Sequence, residues 1–238
     1  MPYLRLFCEQ LSDHLFVLGQ ERLDPKAFSS DCHVYLIIGQ DSALAVDAGG
    51  GHLWPYVRAT LDLHGSPEMI ITHVLLTHGH GDHARGLVEF EHGGALTVSS
   101  VYAAEHLDSE EDADFLLHHD EVLDLGEFQP EAIMTPGHTP GSVSYRLTVD
   151  DRVCLFTGDL IQIDGGLGWC GAEGFDQAQV LQSLKKLAAL TPPADWLLAG
   201  HGVHRDAEAL LRRAIALGER GKWVVWTDER PDLSKVEV

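Results

Sequence analysis

Four residues that can bind metal ions fall within six positions of one short segment. The segment THGHGDH (residues 77–83) follows the strongly apolar run ITHVLL. Histidines at positions 78 and 80 can converge on one ion from a tight loop, while Asp82 and His83 can turn toward a second ion. The intervening glycines give the backbone the freedom that this requires. The pattern therefore predicts a metal site on a loop that leaves a β-strand.

Three more motifs downstream each present one further ligand after an apolar run. TPGHTPGS (135–142) presents His138, TGD (157–159) presents Asp159 after CLF, and AGHG (199–202) presents His201 after WLL. In each motif a glycine comes immediately before the ligand. Histidine and aspartate are ligands that zinc, iron and manganese all accept. If residues 77–83 were only a histidine-rich surface loop, there would be no reason for three further ligand motifs downstream.

In the order HxHxDH, GH, GD and GH, the motifs resemble the metallo-β-lactamase superfamily, and most closely its glyoxalase II-like hydrolases. The resemblance covers residues 10 to 204. It implies an α/β (α+β) fold, a four-layer αβ/βα sandwich, with two divalent metal ions at the edge where the two sheets face each other. Zinc is the first expectation, with iron or manganese as alternatives. The implied ligands are His78, His80 and His138 for the first ion, Asp82, His83 and His201 for the second, and Asp159 bridging both.

The resemblance also implies a chemistry. Two cations about 3.5 to 4 Å apart can share a water, lower its pKa toward neutrality and hold the resulting hydroxide against a carbonyl carbon. Asp82 would be the catalytic residue that orients this bridging hydroxide. Asp47, in AVDAG, matches a position that supports the HxHxDH loop from behind.

The leaving group narrows the substrate class. The motifs supply no strong general acid for an amine, whereas a thiol with a pKa near ~8.5 departs without one. We therefore expect a metal-dependent hydrolase of the thioesterase or esterase type, acting on a small thioester, ester or lactone.

Other functions remain open at this point. The main alternative is a mononuclear non-haem iron persulfide dioxygenase, in which His78, His138 and Asp159 form a two-histidine, one-carboxylate site. A β-lactamase is less favoured, because Asp159 stands where the best-known β-lactamase classes carry cysteine or serine. An inactive metal-binding regulator is disfavoured by the complete ligand set. The sequence after Asp159 contains Cys170-Gly171, but Ala172 stands where glutathione-dependent relatives carry arginine.

Charge and composition limit the partners. With 16 Lys and Arg against 37 Asp and Glu, the formal net charge is -21, which disfavours nucleic acid and anionic membranes and leaves a small-molecule substrate. The four cysteines form no CxxC pair, and no apolar run approaches the ~20 residues that span a bilayer. We therefore expect a cytoplasmic protein.

Hydrophobic periodicity predicts alternating strands and helices in one domain that covers residues 1–238. One helix is predicted over DQAQVLQSLKKLAAL with Asp176 as its N-cap, and another from Asp206 to Leu217 with Gly218 as its stop. Residues 222–238 would form a tail or an oligomer contact, since WVVW suggests a homodimer edge. The predicted strands are HLFVLG, HVYLIIG, ALAVDAG, ITHVLLTH, ALTVSS, VSYRLTV, RVCLFTGD and DWLLAGH.

Overall fold

The computed structural model describes residues 4–22, 31–107, 113–167 and 173–223. The Cys170–Ala172 segment and residues 224–238 lie outside these ranges, so the homodimer contact stays a prediction. The strands are β1 (Leu4–Gln10), β2 (Leu15–Arg22), β3 (Val34–Ile38), β4 (Ala43–Val46), β5 (Ile71–Leu75), β6 (Leu96–Ser100), β7 (Phe115–Leu117), β8 (Glu121–Val122), β9 (Glu131–Met134), β10 (Val143–Val149), β11 (Arg152–Gly158), β12 (Trp196–Ala199) and β13 (Gly202–His204). The helices are α1 (Trp54–His64), α2 (Gly81–Ala84), α3 (Leu87–His92), α4 (Val101–Ala104), α5 (Gln177–Ala188) and α6 (Ala207–Glu219).

Two sheets carry these strands. The first has seven strands in the order β1 to β7, and the second has six in the order β13-β12-β11-β10-β9-β8. Strands β1 to β4 pair antiparallel, whereas β4, β5, β6 and β7 run parallel. In the second sheet β11 and β12 are parallel and the other pairs are antiparallel.

Apolar side chains alternate between the two faces of each sheet. One core lies between the sheets and includes Tyr35 and Leu75 of the first sheet with Tyr145 and Phe156 of the second. A second core packs the outer face of the first sheet against α1 and α3. A third packs the outer face of the second sheet against α5 and α6. The layers are therefore helix, sheet, sheet and helix, as predicted.

The two predicted helices are present, with one correction. The Asp176 carboxylate accepts hydrogen bonds from the first turn of α5, and the Asp206 carboxylate does the same for α6. Gly218 is not the stop of α6, because the helix continues to Glu219. A Cβ atom at position 218 would overlap the ring of Trp223, so close packing explains this glycine.

The topology brings the motif loops to one end of the sandwich. The segments that follow β4 and β5 carry Asp47 and His78, and those that follow β11 and β12 carry Asp159 and His201. Parallel neighbours end at the same edge of a sheet, and open α/β folds place ligands at such edges. Among the helices of the described ranges, none has the length and apolar character needed to cross a membrane.

Candidate metal centre

All seven predicted ligands lie together where the two sheets meet. They come from the β5–α2 segment, the β9–β10 loop, the end of β11 and the β12–β13 turn. The ligand atoms within each of three groups lie no more than 4.8 Å apart. The groups are His78 with His80 and His138, His78 with His83 and Asp159, and Asp82 with His83 and His201.

The first group consists of three imidazoles whose ring nitrogens converge. His78 Nε2 lies 2.9 Å from His80 Nδ1, and His138 Nε2 lies 3.0 Å from the same atom. Burial lowers the pKa of His78 well below its usual value and that of His138 to about 4. These two rings are therefore neutral at pH 7, which is the form that binds a metal ion.

Carboxylates mark the second part of the centre. His201 Nε2 lies 3.3 Å from Asp82 Oδ2 and 3.5 Å from Asp159 Oδ2. Burial opposes charge on both partners, yet the Asp159 carboxylate raises the pKa of His201 to about 9, and His201 holds the pKa of Asp159 well below its usual range. This part of the centre therefore attracts positive charge.

Asp159 lies between the two parts. Its Oδ2 atom is 3.9 Å from His138 Nε2, while its Oδ1 atom is 3.4 Å from His83 Nε2. Within the described residues, neither Asp159 Oδ1 nor His83 Nε2 has a partner in hydrogen-bond geometry, although both atoms are buried. A Cβ atom at Gly200 would overlap the Asp159 carboxylate, so glycine keeps this space open. Two buried ligand atoms that have no hydrogen-bond partner and lie beside converging imidazoles suit a divalent cation.

Asp47 braces the ligand loop from behind. Its Oδ2 atom lies 2.9 Å from His83 Nδ1, and its Oδ1 atom accepts a 2.8 Å hydrogen bond from the Thr77 backbone N–H. Asp47 has a left-handed φ of 58°, a strained conformation for a residue other than glycine. The contact fixes which nitrogen of His83 faces the centre, as carboxylates behind metal-binding histidines do.

Comparison with known proteins decides the family. The model of the metallo-β-lactamase superfamily matches residues 29–201, which contain all seven clustered side chains. The chain belongs to the metallo-β-lactamase superfamily. A hydroxyacylglutathione hydrolase-like protein of Mus musculus is 33% identical over 177 residues, covering 72% of this chain and 58% of that protein. The probable polyketide biosynthesis zinc-dependent hydrolase BaeB of Bacillus velezensis is 28% identical over 216 residues, covering 85% of this chain and 88% of that protein.

Solved structures show the same fold. The structure of a metallo-β-lactamase from Pontibacter korlensis matches with a TM-score of 0.73 at 19% identity, covering 90% of this chain and 99% of that chain. The four-layer metallo-β-lactamase fold that the motifs imply is therefore confirmed.

Within this superfamily fold, the sequence reasoning missed the residues that hold the His201 turn. The Tyr35 hydroxyl and the His33 backbone N–H both donate to carbonyls of that turn. Cys32 is buried beside His83, and burial raises the pKa of its thiol to about 12. The one sequence signal for Tyr35 was its position inside the otherwise aliphatic run VYLII. A sequence pattern cannot distinguish such a tyrosine from an ordinary aromatic residue of the core.

Proposed function

We propose that this chain is a dinuclear metal-dependent hydrolase of a small thioester, ester or lactone. The observation that carries the proposal is the position of Asp159. One of its carboxylate oxygens faces His83 and the other faces His138 and His201. A carboxylate placed between two sets of nitrogen donors suits a ligand that bridges two cations.

The ligand assignment follows the two parts of the centre. His78, His80 and His138 would hold the first ion, Asp82, His83 and His201 would hold the second, and Asp159 would belong to both. Imidazole and carboxylate ligands accept Zn2+ as well as iron or manganese, and the name of the Bacillus velezensis relative supports zinc. When bound, two such ions lower the pKa of a shared water and polarise the substrate carbonyl.

Asp82 supplies the catalytic carboxylate. Although burial opposes its charge, His201 and His83 lower the pKa of Asp82, so the carboxylate is ionised at pH 7. It is only half-buried, so it can accept a hydrogen bond from the attacking water and hold its proton.

The buried histidines constrain the leaving group. With the ions bound, the ligand histidines would be neutral imidazoles and could not serve as strong general acids. Without a strong acid beside the leaving atom, a thiolate departs more readily than an amine. The name of the mouse relative also favours a thioester, but the alignment spans 58% of that protein, and glutathione is not part of this proposal.

A substrate panel tests the proposal. The zinc-loaded chain is assayed with thioesters, lactones and amides, beside His80→Ala and the control His14→Ala, which changes an exposed histidine at the opposite end of the sandwich. We expect thioester or lactone hydrolysis that falls by roughly 100-fold or more in His80→Ala and is unchanged in His14→Ala. In protein purified without added metal, one iron per chain together with persulfide-dependent oxygen uptake would instead establish the dioxygenase alternative. Zinc-loaded protein inert to every ester and thioester would contradict hydrolysis.

A further inference from the structure

Two buried tyrosines donate hydrogen bonds across the sandwich to the segments that carry ligands. Tyr35 on β3 points from the first sheet toward the second, and Tyr145 on β10 points the opposite way. Each side chain is at most 1% exposed. A buried hydroxyl must find a partner, and both find backbone carbonyls beside candidate ligands.

Tyr35 holds both ends of the turn that carries His201. Its hydroxyl lies 2.6 Å from the Ala199 carbonyl oxygen and 3.1 Å from that of Gly202. Ala199 and Gly202 face each other in the β12–β13 hairpin, so only Gly200 and His201 lie between them. The His33 backbone N–H donates to the Gly200 carbonyl at 2.6 Å. The Tyr35 hydroxyl, which shares its one proton between two carbonyls, and the His33 backbone N–H therefore hold this turn at three carbonyl groups.

The His201 ring depends on its backbone more than the buried rings of His83 and His138 do. Its side chain is 22% exposed, compared with 0% for His83 and 2% for His138, so less packing holds it in place. Its Nε2 atom must nevertheless stay near both Asp82 and Asp159. A shift of the two-residue turn would move this nitrogen directly.

We propose that Tyr35 is a positioning residue for His201, whose hydroxyl holds the β12–β13 turn so that the imidazole reaches the second metal ion. The inference rests on the proposed dinuclear function. Tyr35 touches no substrate or ion; it acts through the backbone of the turn. Removal of the hydroxyl leaves the ring in place between the sheets, where it packs edge-on against Phe156 with ring centroids 5.3 Å apart.

Tyr145 provides a matched control. It is equally buried, and its hydroxyl donates at 2.9 Å to the Leu76 carbonyl, two residues before His78. Tyr145→Phe therefore removes the same group from the same core, but beside the other ligand loop. Any general loss of stability should be similar in the two variants.

The test is a Co2+ titration of the full, metal-free chain, followed by visible absorption and by competition with a chelator. The wild type should bind two ions. Tyr35→Phe should raise the dissociation constant of the ion that His201→Ala also weakens by roughly 10- to 100-fold, the range for residues that support metal ligands, while the dissociation constant of the other ion changes by less than about threefold. Tyr145→Phe should not weaken that same ion selectively.

A double-mutant cycle separates positioning from general stability. His201→Ala should reproduce the selective loss, and adding Tyr35→Phe to His201→Ala should weaken Co2+ binding no further, because the two residues act on one ion. Two ions bound with unchanged affinity in Tyr35→Phe, or the same loss as in Tyr145→Phe, would overturn the inference alone. A wild-type chain that binds fewer than two ions would overturn the dinuclear proposal together with it.

Discussion

At one end of the sandwich, the buried atoms Asp159 Oδ1 and His83 Nε2 lie 3.4 Å apart, but they do not have hydrogen-bond geometry. At the opposite end, the exposed Glu127 carboxylate accepts hydrogen bonds from three consecutive backbone N–H groups, at residues 40–42, and from the Ser42 hydroxyl. Glu127 belongs to the segment between β8 and β9, and residues 40–42 join β3 to β4, so this contact ties the two sheets together.

The difference between these two contacts indicates which end of the sandwich binds a ligand. An unpaired buried polar group lowers stability, so such groups persist where a ligand completes them. The Glu127 contact needs no ligand, because its polar groups satisfy each other. Changes at the first end should therefore act on metal binding and activity, and changes at the far end on stability alone.

The largest expected effect comes from filling the space at Gly200. In Gly200→Ala the new Cβ would overlap the Asp159 carboxylate and lie 2.6 Å from His83 Cε1. Displacement of these ligands by even about 1 Å should reduce hydrolysis by roughly 100-fold, with a parallel loss of bound metal. Gly126→Ala is the control, because its Cβ has open space at the far end although its φ is +78°. Equal loss of activity in both variants would contradict the inference that only the first end of the sandwich acts on metal binding and activity.

Asp47→Asn should weaken metal binding without crowding the centre. The amide is the same size as the carboxylate but cannot hold His83 Nδ1 and the Thr77 N–H with the same charge. We expect roughly 10- to 100-fold weaker Zn2+ affinity in competition with a chromophoric chelator. Asp195→Asn, which alters a carboxylate that accepts from the Val153 N–H far from the centre, should leave that affinity unchanged. A comparable effect in both would show that Asp47 does not act on the metal.

At the far end, Glu127→Gln should lower the free energy of unfolding by about 1 kcal/mol, since solvent screens this exposed cap, and should leave hydrolysis intact. Burial opposes the charge, but the hydrogen bonds from Ser42 and its neighbours together lower the pKa of Glu127 below 4.5. Its contribution is therefore present above pH 4.5 and lost as the pH falls through the lowered pKa. Urea unfolding of both proteins across this range measures the difference, and a difference that grows in acid would contradict the assignment.

The smallest effect should come from the exposed pair of His14 and Asp150, whose Nδ1 and Oδ1 atoms lie 2.5 Å apart. Its hydrogen bond raises the pKa of His14 above 6.5, and Asp150 has a lowered pKa even though burial opposes its charge. Stability from the raised His14 pKa is present below pH 6.5 and lost as the pH rises through that pKa. His14→Asn should therefore cost less than about 1 kcal/mol at pH 5.5 and less again at pH 9, in the same unfolding assay. A larger loss at pH 9 would show that the ion pair is not the cause.

The candidate ligands could be predicted because their residue types and spacing carry the signal locally. Glycine next to histidine or aspartate at the end of an apolar run is visible within a few residues. Tyr35 could not be assigned in this way, because its partner Ala199 lies 164 residues away in the sequence. Only the packing of the two sheets brings them together.

The same distinction applies to the fold. Strands β2 to β6 and β10 to β12 and the capped helices α5 and α6 were predictable from periodicity, whereas the seven-residue strand β1 was not predicted. The strands β7, β8 and β13 contain three, two and three residues, too few for a pattern, and pairing with their neighbours defines them. Gly218 was mistaken for a helix stop because the reason for it, the Trp223 ring, is a tertiary contact.

The most direct test of the central claim is the number of zinc ions that the metal-free chain takes up at equilibrium, measured by elemental analysis after dialysis. The two-part centre joined by Asp159 predicts two ions per wild-type chain, two in Glu127→Gln, and fewer than two in Asp159→Asn. One ion or none in the wild type, or two ions still bound in Asp159→Asn, would contradict it.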